Sequence, residues 1–233
     1  MLLLYAAAIT IPLGLDLYLP VPEENPLTAE KIEVGRRLFF DRRLSRDNSV
    51  SCSTCDDPER AFSDSRAIAV GGFGRRGRRN APSLINRGYG RLFFWDGRAA
   101  SLEEQVVKPI EDPNEMDLNL SDAAARMGIA PVEIGCALAS FVRSILAGDS
   151  PYDRFVNGDR SALSSEEQAG LQLFRGKGHC VAYHVAPNFT DGRLHNTGIA
   201  WRDGKLADAG GGHGDLKTPT LREVARTAPY MHE

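Results

Sequence analysis

Histidine is absent from the first 178 residues of this 233-residue chain; all five (His179, His184, His195, His213 and His232) lie beyond that point. No chemistry confined to the first part can use an imidazole of its own. A surplus of charge is missing too. The formal net charge of -3 gives no reason to expect a nucleic-acid partner. Nor is there an apolar run long enough for a stable membrane span. The start, "MLLLYAAAITIPLGLDLYLP", is apolar for about a dozen residues before Asp16, too short for a bilayer and without the basic n-region of a complete signal peptide. A trimmed export signal and a buried N-terminal segment both fit it. Cysteine is scarce, and its four copies do not settle the compartment. Cys52 and Cys55 form a CxxC, Cys180 stands alone, and Cys136 lies in an apolar helical run where a thiol is usually small core packing.

What remains is the composition of a soluble globular protein, long enough for one large domain or two small ones. One local concentration of charge stands out, "GRRGRR" at 74–79. It reads as a solvated loop or, since guanidinium forks bind carboxylates bidentately, as a clamp for carboxylates or an acidic partner.

The chain repeats itself. One copy runs "GRRLFF" from Gly35, "CSTCDDP" from Cys52 and "AFSD" ending at Asp64; the other runs "GLQLFR" from Gly170, "CVAYHVAP" from Cys180 and "NFTD" ending at Asp191. Each copy opens on a helix-start signal, at Thr28 and at Ser164, where a hydroxyl can cap free backbone N–H groups. Between them, "PVEIGCALASFVRSIL" (131–146) has apolar residues at helical spacing. The stretch 147–164, rich in Gly, Pro, Ser and Asp, reads as a linker.

Overlaid, the copies spell C-x-x-C-H, the motif that attaches a c-type haem. Neither is intact: the first has Asp56 in the histidine position, and the second keeps His184 but has Tyr183 for the second cysteine. The thiols tether the macrocycle while the imidazole binds iron and sets its potential. Taken alone, Cys52 and Cys55 would more often be a dithiol or half a zinc site, for which only His179, Cys180 and His184 offer further ligands. A thioredoxin-like site would need a βαβ context that this sequence does not suggest. The duplicated context favours two haem sites on a short all-helical frame.

From about Pro12 onward the chain resembles the bacterial di-haem cytochrome c peroxidase family, including its tryptophylquinone-maturing branch. The resemblance rests on "RRLFFDRRLSRDNSVSCSTCDDPERAFSD", "RRNAPSLINRGYGRLFFWDGRAASLEEQVVKPIEDPNEM", "PNFTDGRLHNTG" and "LKTPTLREVARTAPYMH". It implies an all-α fold of two cytochrome c-like helical domains facing one another: an N-terminal domain over 12–146 with the peroxidatic haem, a linker over 147–163, and a C-terminal electron-transfer domain over 164–233. That second domain is expected to be incomplete, since family members continue further. Met231 is expected to pack in a loop upstream of the usual second axial ligand.

Residue by residue, the resemblance implies that Cys52 and Cys55 tether the first haem c, with Asp56 where its proximal histidine would be. Cys180 and His184 match a tether and the iron ligand of the second. Trp95 matches an electron relay between the haems; Gln105 and Glu115 match polar residues over the open face of the first. Asn80 matches a calcium ligand, for which an amide oxygen is a suitable hard donor. Gly72 stands where some members carry a blocking histidine, so that gate is expected to be missing. Apart from the resemblance, Trp95 would ordinarily be core, Glu115 a solvated loop acid and Asn80 a turn residue before Pro82. The implied activity is periplasmic reduction of hydrogen peroxide with electrons from a small donor protein such as a cytochrome c or cupredoxin. Asp56 and Tyr183 are expected to impair it, and a homodimer is compatible with it. The alternatives are a non-catalytic electron-transfer or interaction module with one haem or none, and a metal or dithiol site that reuses Cys52 and Cys55.

Overall fold

A computed structural model describes residues 9–230; Met231, His232 and the first eight residues of the apolar start lie outside the described residues. Helices dominate, and their limits follow from capping. Helix α1 (Ala29–Phe40) starts where Thr28 accepts the Lys31 N–H at 3.2 Å. Helix α2 (Leu102–Glu111) is capped by Ser101, and α3 (Leu120–Met127) by Asn119. Helix α4 (Pro131–Ser144) begins on a proline, whose missing N–H costs nothing in the first turn. Helices α5 (Pro151–Val156) and α6 (Ser165–Arg175) open on reciprocal serine–carboxylate boxes at Ser150 with Asp153 and Ser164 with Glu167. The strands among the described residues are two-residue pieces: β1 (Leu194–His195) pairs antiparallel with β4 (Leu216–Lys217), and β2 (Trp201–Arg202) with β3 (Lys205–Leu206). No single helix among the described residues is long and apolar enough to cross a membrane.

The core is built around α4, which is buried on nearly every side from Ile134 to Arg143. Leu38 and Phe39 of α1, Leu102, Val106 and Ile110 of α2, and Ala123 and Ala124 of α3 close on it. The apolar cluster runs from Leu38 to Ile145. Beyond residue 147 the buried apolar residue among those described is Ala200. Helix α6 buries none of its residues, and Leu173 stays 58% exposed. The segment expected as a linker contains α5, whose Asp153 is buried against Arg222. The second half is therefore joined to the rest by polar contacts more than by a core of its own.

The repeated glycine shows the asymmetry at one atom. At Gly35 a Cβ would overlap the Ala137 carbonyl and the Phe141 side chain, so the backbones of α1 and α4 meet closely there; Gly170, its counterpart in α6, has nothing within 4 Å. Gly35→Ala is expected to destabilise the chain by about 1–3 kcal/mol, because overpacking against a backbone carbonyl outweighs the helix-propensity gain. Gly170→Ala should instead stabilise it by up to about 1 kcal/mol. Thermal unfolding of the two variants checks this, and a Gly35→Ala chain as stable as the parent or more so would show that α1 and α4 do not pack this way.

Candidate functional site

Both cysteine motifs fold alike. Each forms a single 3₁₀ turn, Cys52–Thr54 and Cys180–Ala182. The Cys52 carbonyl accepts from the N–H groups of Cys55 at 3.2 Å and Asp56 at 3.0 Å. The Cys180 carbonyl accepts from Tyr183 at 3.2 Å and His184 at 2.9 Å. Asp56 and His184 thus occupy equivalent places. Downstream, Phe62 and Phe189 both take a left-handed backbone. Asp64 accepts from the Arg66 N–H and Asp191 from the Arg193 N–H, each at 3.0 Å.

The structure adds a third repeated block, "NAPSLINR" from Asn80 and "KTPTLREV" from Lys217. Ser83 donates to the Ala61 carbonyl and Thr220 to that of Asn188, one residue before each repeated phenylalanine. Asn86 and Glu223 are both left-handed, and each starts a short turn, Arg87–Tyr89 and Val224–Arg226. Only the Pro-[ST]-Leu core was available in the sequence to signal it.

A cavity of about 470 Å³ gathers Cys52, Cys55, Asp56, Asn80, Trp95, Gln105 and Glu115 on its walls, over an apolar floor that includes Phe39, Val50, Phe93, Leu138 and Val142. Cys180 and His184 lie outside that lining. Gln105 comes from α2 and Glu115 from the loop that follows it, where the Glu115 N–H donates to Asp112 O at 3.0 Å and Met116 is buried. The "GG" at 71–72 holds this loop. The Gly72 N–H donates to Glu115 O at 2.6 Å, and the space a Gly71 Cβ would take is filled by the Asn114 and Glu115 backbone. Gly71 is a positioning residue not identified from sequence.

Burial governs the electrostatics. It lifts Glu115 to about 7, with the Asp112 charge adding and Arg98 opposing. It raises Asp56 well above the usual carboxylate range, helped by Glu115 and Asp64, so burial disfavours its charged form. The thiols respond the same way: burial and the nearby carboxylates push Cys52 far up and Cys55 to about 12. Neither is a ready thiolate.

Trp95 is pinned by both copies of the third block. Its Nε1–H donates to Asn80 O at 3.0 Å, and its own carbonyl accepts from the Lys217 N–H at 2.7 Å. The Asn80 Oδ1 is buried with no partner among the described residues. Two of the four arginines of the basic run clamp carboxylates of this same chain. Arg79 binds Asp96 at 2.7 Å and Asp208 at 2.6 Å, and Arg75 binds Asp117 at 2.8 Å.

In the second motif, His184 Nδ1 donates to the Phe189 carbonyl at 2.9 Å, which fixes the tautomer and leaves Nε2 its lone pair. Tyr183 packs edge-on to His195 at 4.7 Å between ring centroids, and His195 Nε2 meets Asp191 Oδ2 at 2.7 Å. Val181, Tyr183 and Val185, flanking His184, are exposed. Among the described residues no group of three or more His, Cys, Asp or Glu side chains is placed to hold a bare metal ion, which weighs against zinc.

Both sites suit a tethered tetrapyrrole in part. The first offers two thiols on the wall of a largely apolar cavity but a buried carboxyl in place of the imidazole; the second offers an oriented imidazole, one thiol and uncovered apolar surface. The di-haem cytochrome c peroxidase family pattern matches residues 29–132. The methylamine utilization protein MauG of Methylorubrum extorquens is 39% identical over 92% of this chain and 67% of its own length. The cytochrome-c peroxidase IdrP2 of Denitromonas iodatirespirans is 31% identical over 91% of this chain and 72% of its own. A crystal structure of a MauG-like protein associated with microbial copper homeostasis superposes with a TM-score of 0.82 at 34% identity, over 94% of this chain and 75% of that one. With a duplicated haem-attachment turn, a cavity that collects the expected side chains, and relatives of this similarity, the chain belongs to the di-haem cytochrome c peroxidase family, which includes MauG.

Proposed function

We propose that the chain is a periplasmic haem-dependent peroxidase that reduces hydrogen peroxide with electrons from a small donor protein, a cytochrome c or a cupredoxin. The observation that carries this reading is the single cavity shared by both thiols, Gln105, Glu115 and Trp95. Cys52 and Cys55 would hold the first haem c, and Cys180 and His184 the second. When bound, haem supplies the iron redox chemistry that peroxide reduction needs.

The protein's own groups do the rest. Glu115, lifted to about 7, is balanced between its two protonation states at neutral pH. Its carboxylate can take the proton from the nearer peroxide oxygen and return it to the farther one, so that water leaves. Gln105, on the same wall, offers an amide that can both donate and accept and so orient the peroxide. Trp95 places an indole between the two repeats, held at its ring and its backbone, as a relay for an electron. Asn80 turns a buried, unpartnered amide oxygen inward, a fitting donor for the calcium ion of the family. The domain limits follow the repeat: 12–146 for the peroxidatic half, 147–163 as the connection through α5, and 164–233 for the electron-transfer half. Two protonated thiols make a poor redox dithiol, which argues against that alternative.

Asp56 is the weak point of this machinery. Burial disfavours the charged form of Asp56 that would bind iron, so this side chain would be a weaker donor than the histidine of the full motif. Asp56→His would supply the imidazole that the motif lacks and should change the ferric spectrum of haem carried by Cys52 and Cys55, with Gly72 offering no competing side chain. The test is haem content per chain and mass spectrometry of the haem peptides, with spectra and peroxide decay of the parent and of Asp56→His at matched haem content. A parent chain without haem on either cysteine peptide would end the proposal; identical spectra in parent and variant would show that another residue already ligates the iron.

A further inference from the structure

Several enclosed cations among the described residues have carboxylate partners. Arg79 meets Asp96 and Asp208, Arg143 meets Glu103 at 2.6 Å, and Arg222 meets Asp153. Arg87 and Lys217 have no carboxylate at ion-pair distance among the described residues. The guanidinium of Arg87 lines the cavity of Cys52 and Cys55, stacks 5.0 Å over the Phe93 ring and makes one hydrogen bond, to Leu92 O at 2.6 Å. It lies close over Gly90, where a Cβ would come within 2.5 Å of Nη2. The Lys217 side chain is 5% exposed, and its ammonium stands 6.0 Å from the Trp95 ring centroid. The two sit near enough to disturb each other. Burial, then the Arg87 charge, pulls Lys217 well below its ordinary value, and burial alone brings Arg87 to about 10.

A buried ammonium and a partly buried guanidinium without a carboxylate beside them carry a desolvation cost that an anion would offset. The site is also a joint construction. Arg87 closes the third repeated block of the first copy, Lys217 opens that of the second, and Lys217 touches Trp95 through its N–H and its ammonium. Relying on the haem reading given above, we infer that Arg87 and Lys217 form a carboxylate anchor that receives the propionates of the tetrapyrrole held at Cys52 and Cys55. Two fixed cations meet two carboxylates, and the anchor lets the second half of the chain grip the group tethered to the first. A guanidinium braced by Phe93 and Gly90 offers the fork suited to one carboxylate, and the ammonium on its flexible stem suits the other.

The test uses the full chain matured with haem-attachment machinery, comparing the parent with Arg87→Met, Lys217→Met and Lys217→Arg. Two properties of the haem on the Cys52–Cys55 peptide are read: the propionate-bending bands in resonance Raman spectra, and the midpoint potential. Losing either cation should displace the propionate bands and favour the ferric state about tenfold, a fall of about 59 mV for one electron. Lys217→Arg should keep both near the parent. If a methionine variant fails to fold by circular dichroism, Lys217→Gln replaces it. Haem on that peptide with parent-like bands and potential in the uncharged variants would overturn the anchor and leave the haem reading standing. Absence of haem from that peptide in the parent would overturn both.

Discussion

Glu115→Gln is expected to lower peroxide turnover about 10²–10⁴-fold, the usual cost of losing one acid/base group, while making the folded chain more stable above pH 7. The two effects have one cause. Glu115 is lifted from 4.5 to about 7 chiefly by burial, with Asp112 adding and Arg98 opposing. Below pH 4.5 the carboxyl is protonated folded or unfolded and carries no penalty. Above about 7 it is charged in both states, and the folded chain bears the full cost of ionising it in the cavity. At about 1.4 kcal/mol for each pH unit of displacement, that cost is on the order of 3 kcal/mol. Glutamine keeps the shape and does not ionise, so the stability gap between variant and parent should open from pH 4.5 to 7 and stay constant above. Turnover of the parent should rise with pH through about 7 as the proton acceptor becomes available, and that limb should be missing from the residual turnover of the variant. Peroxide-decay rates and denaturant unfolding across pH 4–9 at matched haem content check both halves. A variant equal in turnover to the parent would remove Glu115 from the chemistry; one that loses turnover without gaining stability would show that the carboxylate is already compensated.

The sequence revealed local structure well and long-range pairing poorly, for identifiable reasons. The starts of α1 and α6 were legible because a hydroxyl cap acts within three residues, and α4 because its apolar spacing spans four turns. The equivalence of Asp56 and His184 was legible because both sit at the same offset from a cysteine whose carbonyl closes the turn. The uneven core was not. "GRRLFF" and "GLQLFR" have similar patterns, yet only the first meets a covering helix, and a periodicity cannot say what lies opposite. Nor was the fate of the arginine run legible, because Arg79 finds Asp208 across 129 residues. Glu115 read as an ordinary loop acid since its burial depends on Gly71 and Gly72, more than forty residues upstream, pressing on its backbone. The third repeated block escaped notice because Pro and Leu alone are identical in it, while its hydrogen bonds through Ser83 and Thr220 are conserved in kind between the copies.

Arg222→Ala is expected to cost about 3–5 kcal/mol of stability at pH 7, the range for leaving one member of a buried ion pair behind. Arg222 closes a fork on Asp153, with Nη2 at 2.9 Å from Oδ1 and Nη1 on Oδ2; the two side chains are 4% and 1% exposed. Its remaining donors reach the carbonyls of Pro187 at 2.7 Å and Gly14 at 3.1 Å. One guanidinium therefore ties the N-terminal segment, α5 and both later repeat blocks, in the part of the chain that has little apolar core to do so. The pH dependence identifies the mechanism. Burial alone would raise the Asp153 carboxyl, but the bonds from Arg222 and Ser150 bring it below its ordinary 3.8. A depressed carboxylate adds stability that is present above about 3.8 and lost as pH falls through the folded value. Without Arg222 only the Ser150 bonds oppose burial, so the carboxyl rises relative to the parent, and the variant loses most at pH above its folded value and least below it. The gap between parent and variant should accordingly be widest near neutrality and close as the pH drops below 4. Arg222→Met with Asp153→Leu, which removes both charges and keeps apolar volume, should recover much of the loss, because a buried pair is worth little against well-packed apolar side chains. Denaturant unfolding of the parent, the single and the double variant at pH 3, 5 and 7 tests the set. A single variant within 1 kcal/mol of the parent at pH 7, or a gap that stays constant into acid, would mean that the second half is held by something other than this pair.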